Sequence, residues 1–289
     1  MKFVFLGPIR LAIPHPFKVN YLLSVLAFIS VAGYSQDVSL PESLQLLFTS
    51  GVEALKKGDL DSAKRSFQAV IDRGGKLSFV YNNLGAAYQQ GKQHSQALTQ
   101  FREAIRLQPD YASPHILAAA SLMAIEKFPD AIKELEYAAK LQPNEPLVRL
   151  QLAKAYEQTG DLFGRVEQYQ RLREINPKEP EYAFQLGRAF MELAAWCSQE
   201  IERIDPSSAR LQQSIANSYV YQGNNEKAIA ALKKAIQVAP KLPDLHLALA
   251  QLYAQQGRTI EAIQEIDLEL VIIPISLAAL TMKEDLKKR

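Results

Sequence analysis

Between Tyr81 and Pro109 the apolar residues recur at three- and four-residue steps. Tyr81, Leu84, Gly85 and Tyr88 stand at i, i+3, i+4 and i+7, one face of a helix. Ala97, Phe101 and Ala104 repeat that spacing on a second helix. Gly91 lies between the two and is expected to make the tight turn. Pro109 ends the second helix, because proline cannot continue one. Small residues at Gly85, Ala97 and Ala104 let the two backbones approach closely, with Tyr81, Tyr88 and Phe101 filling the space around them. The pattern predicts one helical hairpin, and no alternating strand pattern of useful length occurs in the chain.

One hairpin cannot bury its apolar face alone, and this one recurs with a period of 34. One step back are Gly51, Ala63 and Phe67. Steps forward reach Ala119, Ala131, Leu135, Ala138 and Pro143, then Ala153, Tyr156, Tyr169 and Pro177, then Leu186, Gly187 and Phe190. Later come Ala216, Tyr219, Ala228, Ala235 and Pro240, and finally Ala250, Tyr253, Ala262 and Pro274. These spacings and residue types resemble the tetratricopeptide repeat family over residues 44–274. The resemblance implies an all-α fold: a right-handed α-solenoid of stacked antiparallel helical hairpins, about seven in number. The repeats fall at 44–77, 78–111, 112–145, 146–179, an irregular 180–208, 209–242 and 243–275. Residues 276–289 are expected to cap the last face, with Ile275, Leu277, Leu280 and Met282 as its apolar contacts.

Three places depart from the pattern. Arg165, beside Gly164, stands where the fourth repeat should carry a small residue. Either that helix is rotated by one residue, or the arginine reaches out with its stem buried. Glu269 stands where alanine is usual, which suggests that the array is ending. The fifth repeat is short by five residues, with no glycine or proline between Arg188 and Asp205. There Leu186, Phe190, Leu193, Cys197, Ile201 and Ile204 form a stripe with the period of one continuous helix, expected from about Glu181 to Ile204. A rod of that length cannot fold back, so the superhelix is expected to change direction there.

The first 35 residues belong to a different regime, and 36–43 are a short linker. Lys2, Arg10 and Lys18 precede an apolar run of 12, Tyr21 to Ala32, followed by small residues. That order reads as a secretory signal peptide, or as an uncleaved anchor through residues 21–33. The protein is therefore expected in the periplasm or secreted, with membrane contact only if the segment is retained. Removing those three charges leaves 30 basic against 31 acidic residues. A near-neutral chain has no electrostatic footprint for nucleic acid.

Catalytic chemistry finds little support. Cys197 is the only cysteine and, beside Trp196, reads as a small buried hydrophobe. His115 and His246 occupy the fourth position of their repeats and His94 the aromatic place after a turn, all with packing explanations. No metal-ligand spacing and no glycine-rich phosphate loop is present, so no cofactor is expected. The repeat array leaves no room for a catalytic core. The resemblance implies instead a non-catalytic scaffold that binds a protein or peptide in the groove lined by the first helix of each repeat. A structural subunit of a cell-envelope assembly is the alternative, and an enzyme or enzyme-associated regulatory subunit a remote one.

By the same resemblance, the second, fifth, sixth, ninth, twelfth and thirteenth positions of each first helix face inward. These include Phe79, Asn82, Asn83 and Gln89 in the second repeat, Ile116, Leu117 and Met123 in the third, and Leu147, Leu150 and Lys154 in the fourth. The chaperone-binding members hold a C-terminal carboxylate with a clamp of lysine and arginine. Here only Asn83 matches that clamp, and Phe48, Val52, Ser113 and Leu117 fill its other places. An extended or helical segment held by apolar contacts and by amide bonds from Asn82, Asn83 and Gln89 is therefore expected.

Overall fold

The computed structural model describes residues 40–288. The expected leader and anchor segment lies outside the described residues. Among the described residues there are fourteen α-helices and no strand. The first four hairpins are α1 (Glu42–Lys56) with α2 (Leu60–Asp72), α3 (Ser78–Gln90) with α4 (His94–Leu107), α5 (Ala112–Ala124) with α6 (Phe128–Leu141), and α7 (Pro146–Thr159) with α8 (Leu162–Ile175). A single long helix, α9 (Pro180–Ile204), follows. Two more hairpins are α10 (Ala209–Tyr221) with α11 (Asn225–Val238), and α12 (Leu245–Gln255) with α13 (Thr259–Ile272); α14 (Leu277–Lys287) ends the array. The chain divides into two compact units, one ending at Leu186 and the other beginning at Gly187.

Within α1–α8 and within α10–α14 each helix packs against the next. Large side chains at fixed repeat positions fill the seams: Phe67 and Phe101 are fully buried, as are Leu84, Leu135, Leu152, Leu232, Leu249 and Ile266. The glycines of the pattern make the closest approaches. A Cβ at Gly51 would lie 2.8 Å from the Phe67 ring, and one at Gly85 only 2.5 Å from that of Phe101. Glycine is thus needed in these helices despite its cost of about 1 kcal/mol relative to alanine.

The hairpin turn corrects one expectation. Gly91 has an ordinary φ of −77°, and the left-handed residue is its neighbour Lys92, φ 58°. The same slot holds Glu126 at φ 60°, and glycine at Gly58, Gly160, Gly223 and Gly257. A left-handed conformation costs a residue with a Cβ about 1–2 kcal/mol. Lys92→Gly is therefore expected to stabilise the protein by about 0.5–1 kcal/mol, after the entropy that glycine adds to the unfolded chain. Gly91→Ala should be nearly neutral. Urea midpoints test the pair, and a Lys92→Gly variant no more stable than wild type refutes the assignment.

Both helical departures of the pattern have a local account. Arg165 is 6% exposed, and its guanidinium lies 3.7 Å from Glu157 Oε1. Gly164 meets the Tyr156 ring, so the close contact is made one residue before the usual small position. Glu269 is fully buried and does not mark the end of packing. Its Oε1 accepts from the Asp244 N–H at 2.9 Å and its Oε2 from the Leu247 N–H at 3.2 Å. It thereby satisfies two donors at the start of α12 that the helix cannot satisfy itself.

A polar clasp recurs in three of the repeats. His115 places Nε2 3.0 Å from the Pro109 carbonyl and Nδ1 2.6 Å from Glu134 Oε2. His246 does the same with the Pro240 carbonyl at 3.4 Å and Glu265 at 2.6 Å. Arg149 takes that role in the fourth repeat, donating to the Pro143 carbonyl at 3.2 Å and to Gln168 Oε1 at 3.1 Å. In these three repeats the side chain at the fourth position thus ties the preceding loop to the repeat's second helix.

Two further expectations are corrected at α9 and α14. Cys197 is exposed rather than buried. So are Phe190 at 44% and Ile204 at 73%, because α9 has no second helix of its own hairpin to cover the stripe. At the end of the array α14 docks through Ala279, Met282 and Leu286. Ile275, Leu277 and Leu280 are instead exposed, the first at 87%.

Candidate binding groove

The first helices of successive hairpins touch one another, α1 on α3, α3 on α5 and α5 on α7, and so form a continuous wall within the first unit. Along it the structure separates the expected groove residues into two groups. Ile116 and Leu117 are 3% and 5% exposed and belong to the core that also contains Phe101 and Leu135. Their place is therefore inside the array, not on the groove surface. Phe79, Met123, Leu147 and Leu150 remain partly exposed, and Lys154 is exposed.

The carboxamides divide similarly. Gln89, expected to bond a ligand, donates to the Leu117 carbonyl at 2.8 Å and to Ser121 Oγ at 2.9 Å, bridging α3 to α5. Asn82 Oδ1 accepts from Ser113 Oγ at 3.4 Å. Asn83 donates its Nδ2 to the Phe79 carbonyl at 2.7 Å, which leaves its Oδ1 buried with no partner in the protein. Gln90 Oε1 and Gln151 Oε1 are in the same condition. Asn83 and Gln151 both hold the sixth position of their repeats, and Gln90 the thirteenth. A buried acceptor left without a donor costs about 1–3 kcal/mol, and these three oxygens are closed off inside the first unit. Gln90 and Gln151 were not among the expected ligand contacts, although their register placed them on the inward face.

Several polar groups elsewhere are satisfied within the protein. Tyr156 donates its hydroxyl to Glu136 Oε1 at 2.8 Å. Burial first, and then that carboxylate, push the phenol well above its ordinary pKa, so it remains a donor. A cleft of about 380 Å³ between the α6–α7 loop and α8 is lined by Pro143, Asn144, Arg149, Glu167, Arg171, Glu174 and Ile175. Its guanidiniums are engaged, Arg149 in the clasp and Arg171 with Glu174 at 2.8 Å. Among the described residues no three His, Cys, Asp or Glu side chains are grouped to hold a metal ion. No helix among them is long and apolar enough to cross a membrane.

Profiles of the tetratricopeptide repeat match residues 78–111 and 116–180, and a further TPR repeat profile matches 216–257. With the hairpin geometry, these matches identify tetratricopeptide repeats in the chain at those residues. The cellulose synthase 1 operon protein C of Komagataeibacter xylinus is 22% identical over 241 residues, which take in 77% of this chain. The chain spans 18% of that protein's length. A tetratricopeptide repeat protein from Parabacteroides merdae is 15% identical, with a TM-score of 0.49 and coverage of 86% of this chain and all of the other. The MamA protein is 19% identical, with a TM-score of 0.44 and coverage of 70% and 94%. Tetratricopeptide repeat proteins as a class are interaction scaffolds.

Proposed function

We propose that the protein is a non-catalytic scaffold whose first unit holds an extended segment of a partner protein along the wall of α1, α3, α5 and α7. The observation that carries this reading is the continuous wall of first helices, with Phe79, Met123, Leu147 and Leu150 partly exposed along it. Lys154 adds a charge at the fourth repeat. Recognition is of apolar side chains, not of a free C-terminal carboxylate, since Phe48, Val52, Ser113 and Leu117 stand where such a clamp needs cations and amides.

The test is a random-peptide display selection on the wild-type protein, followed by affinities for Leu147→Ser and Leu150→Ser. Each variant replaces a partly exposed apolar side chain with a small polar one, so the fold should survive. Affinity is expected to fall at least about tenfold, the equivalent of 1.4 kcal/mol, with an unchanged thermal midpoint. Unchanged affinity in both folded variants overturns the proposal and moves the binding surface elsewhere.

A further inference from the structure

Each clasping histidine is buried and meets an acceptor on both sides of its ring. His115 stands between the Pro109 carbonyl, 3.0 Å from Nε2, and Glu134 Oε2, 2.6 Å from Nδ1. His246 stands between the Pro240 carbonyl at 3.4 Å and Glu265 Oε2 at 2.6 Å. A carbonyl and an ionised carboxylate only accept. A neutral imidazole has one N–H to give, and the imidazolium has two. The 2.6 Å contacts are short even for charge-assisted bonds, and too close for a ring turned over to present a C–H. Arg149 fills the same place in the fourth repeat with a side chain that stays charged, donating to the Pro143 carbonyl and to Gln168 Oε1. In all three repeats the fourth position has to donate twice.

We propose that the two histidine clasps are proton-operated latches. Each is closed while its ring carries both protons and opens when the ring loses one, whereas the Arg149 clasp stays closed over the same range. A ring with a single N–H aims its other nitrogen's lone pair at an acceptor, so either the loop carbonyl or the glutamate has to move off. The part released is the turn before the first helix. In the third repeat the Tyr111 N–H closes that turn on the Gln108 carbonyl at 3.2 Å, and before α12 the Leu242 N–H closes it on Ala239 at 3.1 Å. The Arg149 repeat has the equivalent bond from Glu145 to Gln142 at 3.2 Å.

The charges on the neighbouring helices are engaged elsewhere. Beside Glu134, α6 presents to His115 the ring of Tyr137, with centroids 4.6 Å apart. In α4, Arg106 is paired with Glu103 at 3.0 Å, and α3 carries no formal charge. In α7, Arg149 serves its own clasp and Glu157 lies 3.7 Å from Arg165. Around His246, α13 also carries Glu269, which is held by the Asp244 and Leu247 N–H groups. Lys227 and Lys233 of α11 lie over the rings of Tyr219 and Tyr253. The glutamates bonded to the rings are therefore the partners that decide where each proton sits.

The experiment measures amide exchange of the full chain at about pH 6 and about pH 9, with the intrinsic effect of pH on exchange divided out. Glu145 is the reference within the molecule. Protection of Tyr111 and Leu242 relative to Glu145 should fall at least about fivefold at the higher pH, because a proton lost by the ring is linked to opening of its turn. Ring signals of His115 and His246 in NMR should titrate over the interval in which protection falls. Installing the fourth repeat's pair, His115→Arg with Glu134→Gln, should make Tyr111 follow Glu145 while Leu242 still loosens. Ratios that do not change with pH overturn the proposal, as does a ring that keeps one protonation state throughout or titrates without loosening its turn. Loosening of Tyr111 in the folded His115→Arg, Glu134→Gln variant also overturns it. Should that variant not fold, the wild-type ratios decide by themselves.

Discussion

Phe101→Ala should cost about 3–5 kcal/mol of stability, the range for removing a fully buried aromatic ring. The ring occupies the seam where α3 and α4 come closest, against the bare backbone of Gly85. Its loss removes both the transfer energy of the side chain and the contacts of the seam lining, because rigid helices cannot collapse into the void. Gly85→Ala alone should also destabilise, by about 1–3 kcal/mol, since its Cβ would sit 2.5 Å from the ring. The two changes should not add. With the ring gone the methyl fits the space, and alanine's better helix propensity contributes, so the double variant is expected to be more stable than Phe101→Ala. Urea denaturation of the four proteins measures that coupling. A double variant that loses the sum of the two single losses would refute the claim that glycine and ring are one fitted pair.

The second large effect is expected at Glu269, where alanine is the usual residue of the pattern. Glu269→Ala should destabilise by roughly 2–4 kcal/mol, because it strands two N–H groups, of Asp244 and Leu247, at the start of α12. Glu269→Gln should recover only part of this. Its oxygen can accept one of the two bonds, but its NH₂ group faces the other donor. Amide hydrogen exchange across 244–250 gives the local reading and should accelerate in both variants, more in the alanine one. Exchange and unfolding midpoint unchanged in Glu269→Ala would show that the cap contributes nothing.

How far the fold could be read in advance depended on the kind of signal. The 34-residue period is written in the fitted pairs themselves, Gly51 with Phe67 and Gly85 with Phe101, so hairpins and their order were plain from the chain. The unbroken α9 was equally plain, because an apolar stripe with no glycine or proline leaves no place to turn. Periodicity states which residues share a face, but not whether anything covers it, which is why Cys197 reads as interior in the sequence and is exposed in the structure. The same limit applies to Ile116 and Leu117. In α5 the surrounding residues are small, Ala118 to Ala120, so neighbouring helices close over the two side chains. The left-handed turn residue was obscured by Gly91, one place early. Counting from the closing prolines aligns Lys92 and Glu126 with Gly160, Gly223 and Gly257, and the 34-residue period adds Gly58. The unpartnered oxygens of Gln90 and Gln151 depend on which neighbours their amides meet, and no spacing rule reports that.

The clasp of His115, Arg149 and His246 bears on descent. In each case the carbonyl partner lies six residues before the clasping side chain and the acceptor side chain nineteen after it: Pro109 and Glu134, Pro143 and Gln168, Pro240 and Glu265. These intervals follow from the hairpin itself, which sets the fourth position against the same carbonyl and the same place on the second helix wherever the clasp occurs. A histidine arriving alone at the fourth place would find no acceptor nineteen residues on, and a lost glutamate would leave the ring nitrogen facing nothing. Among lineages that share this array the two sites should change in concert, histidine with glutamate or arginine with glutamine, and an exchange at one should be followed by an answering exchange at the other.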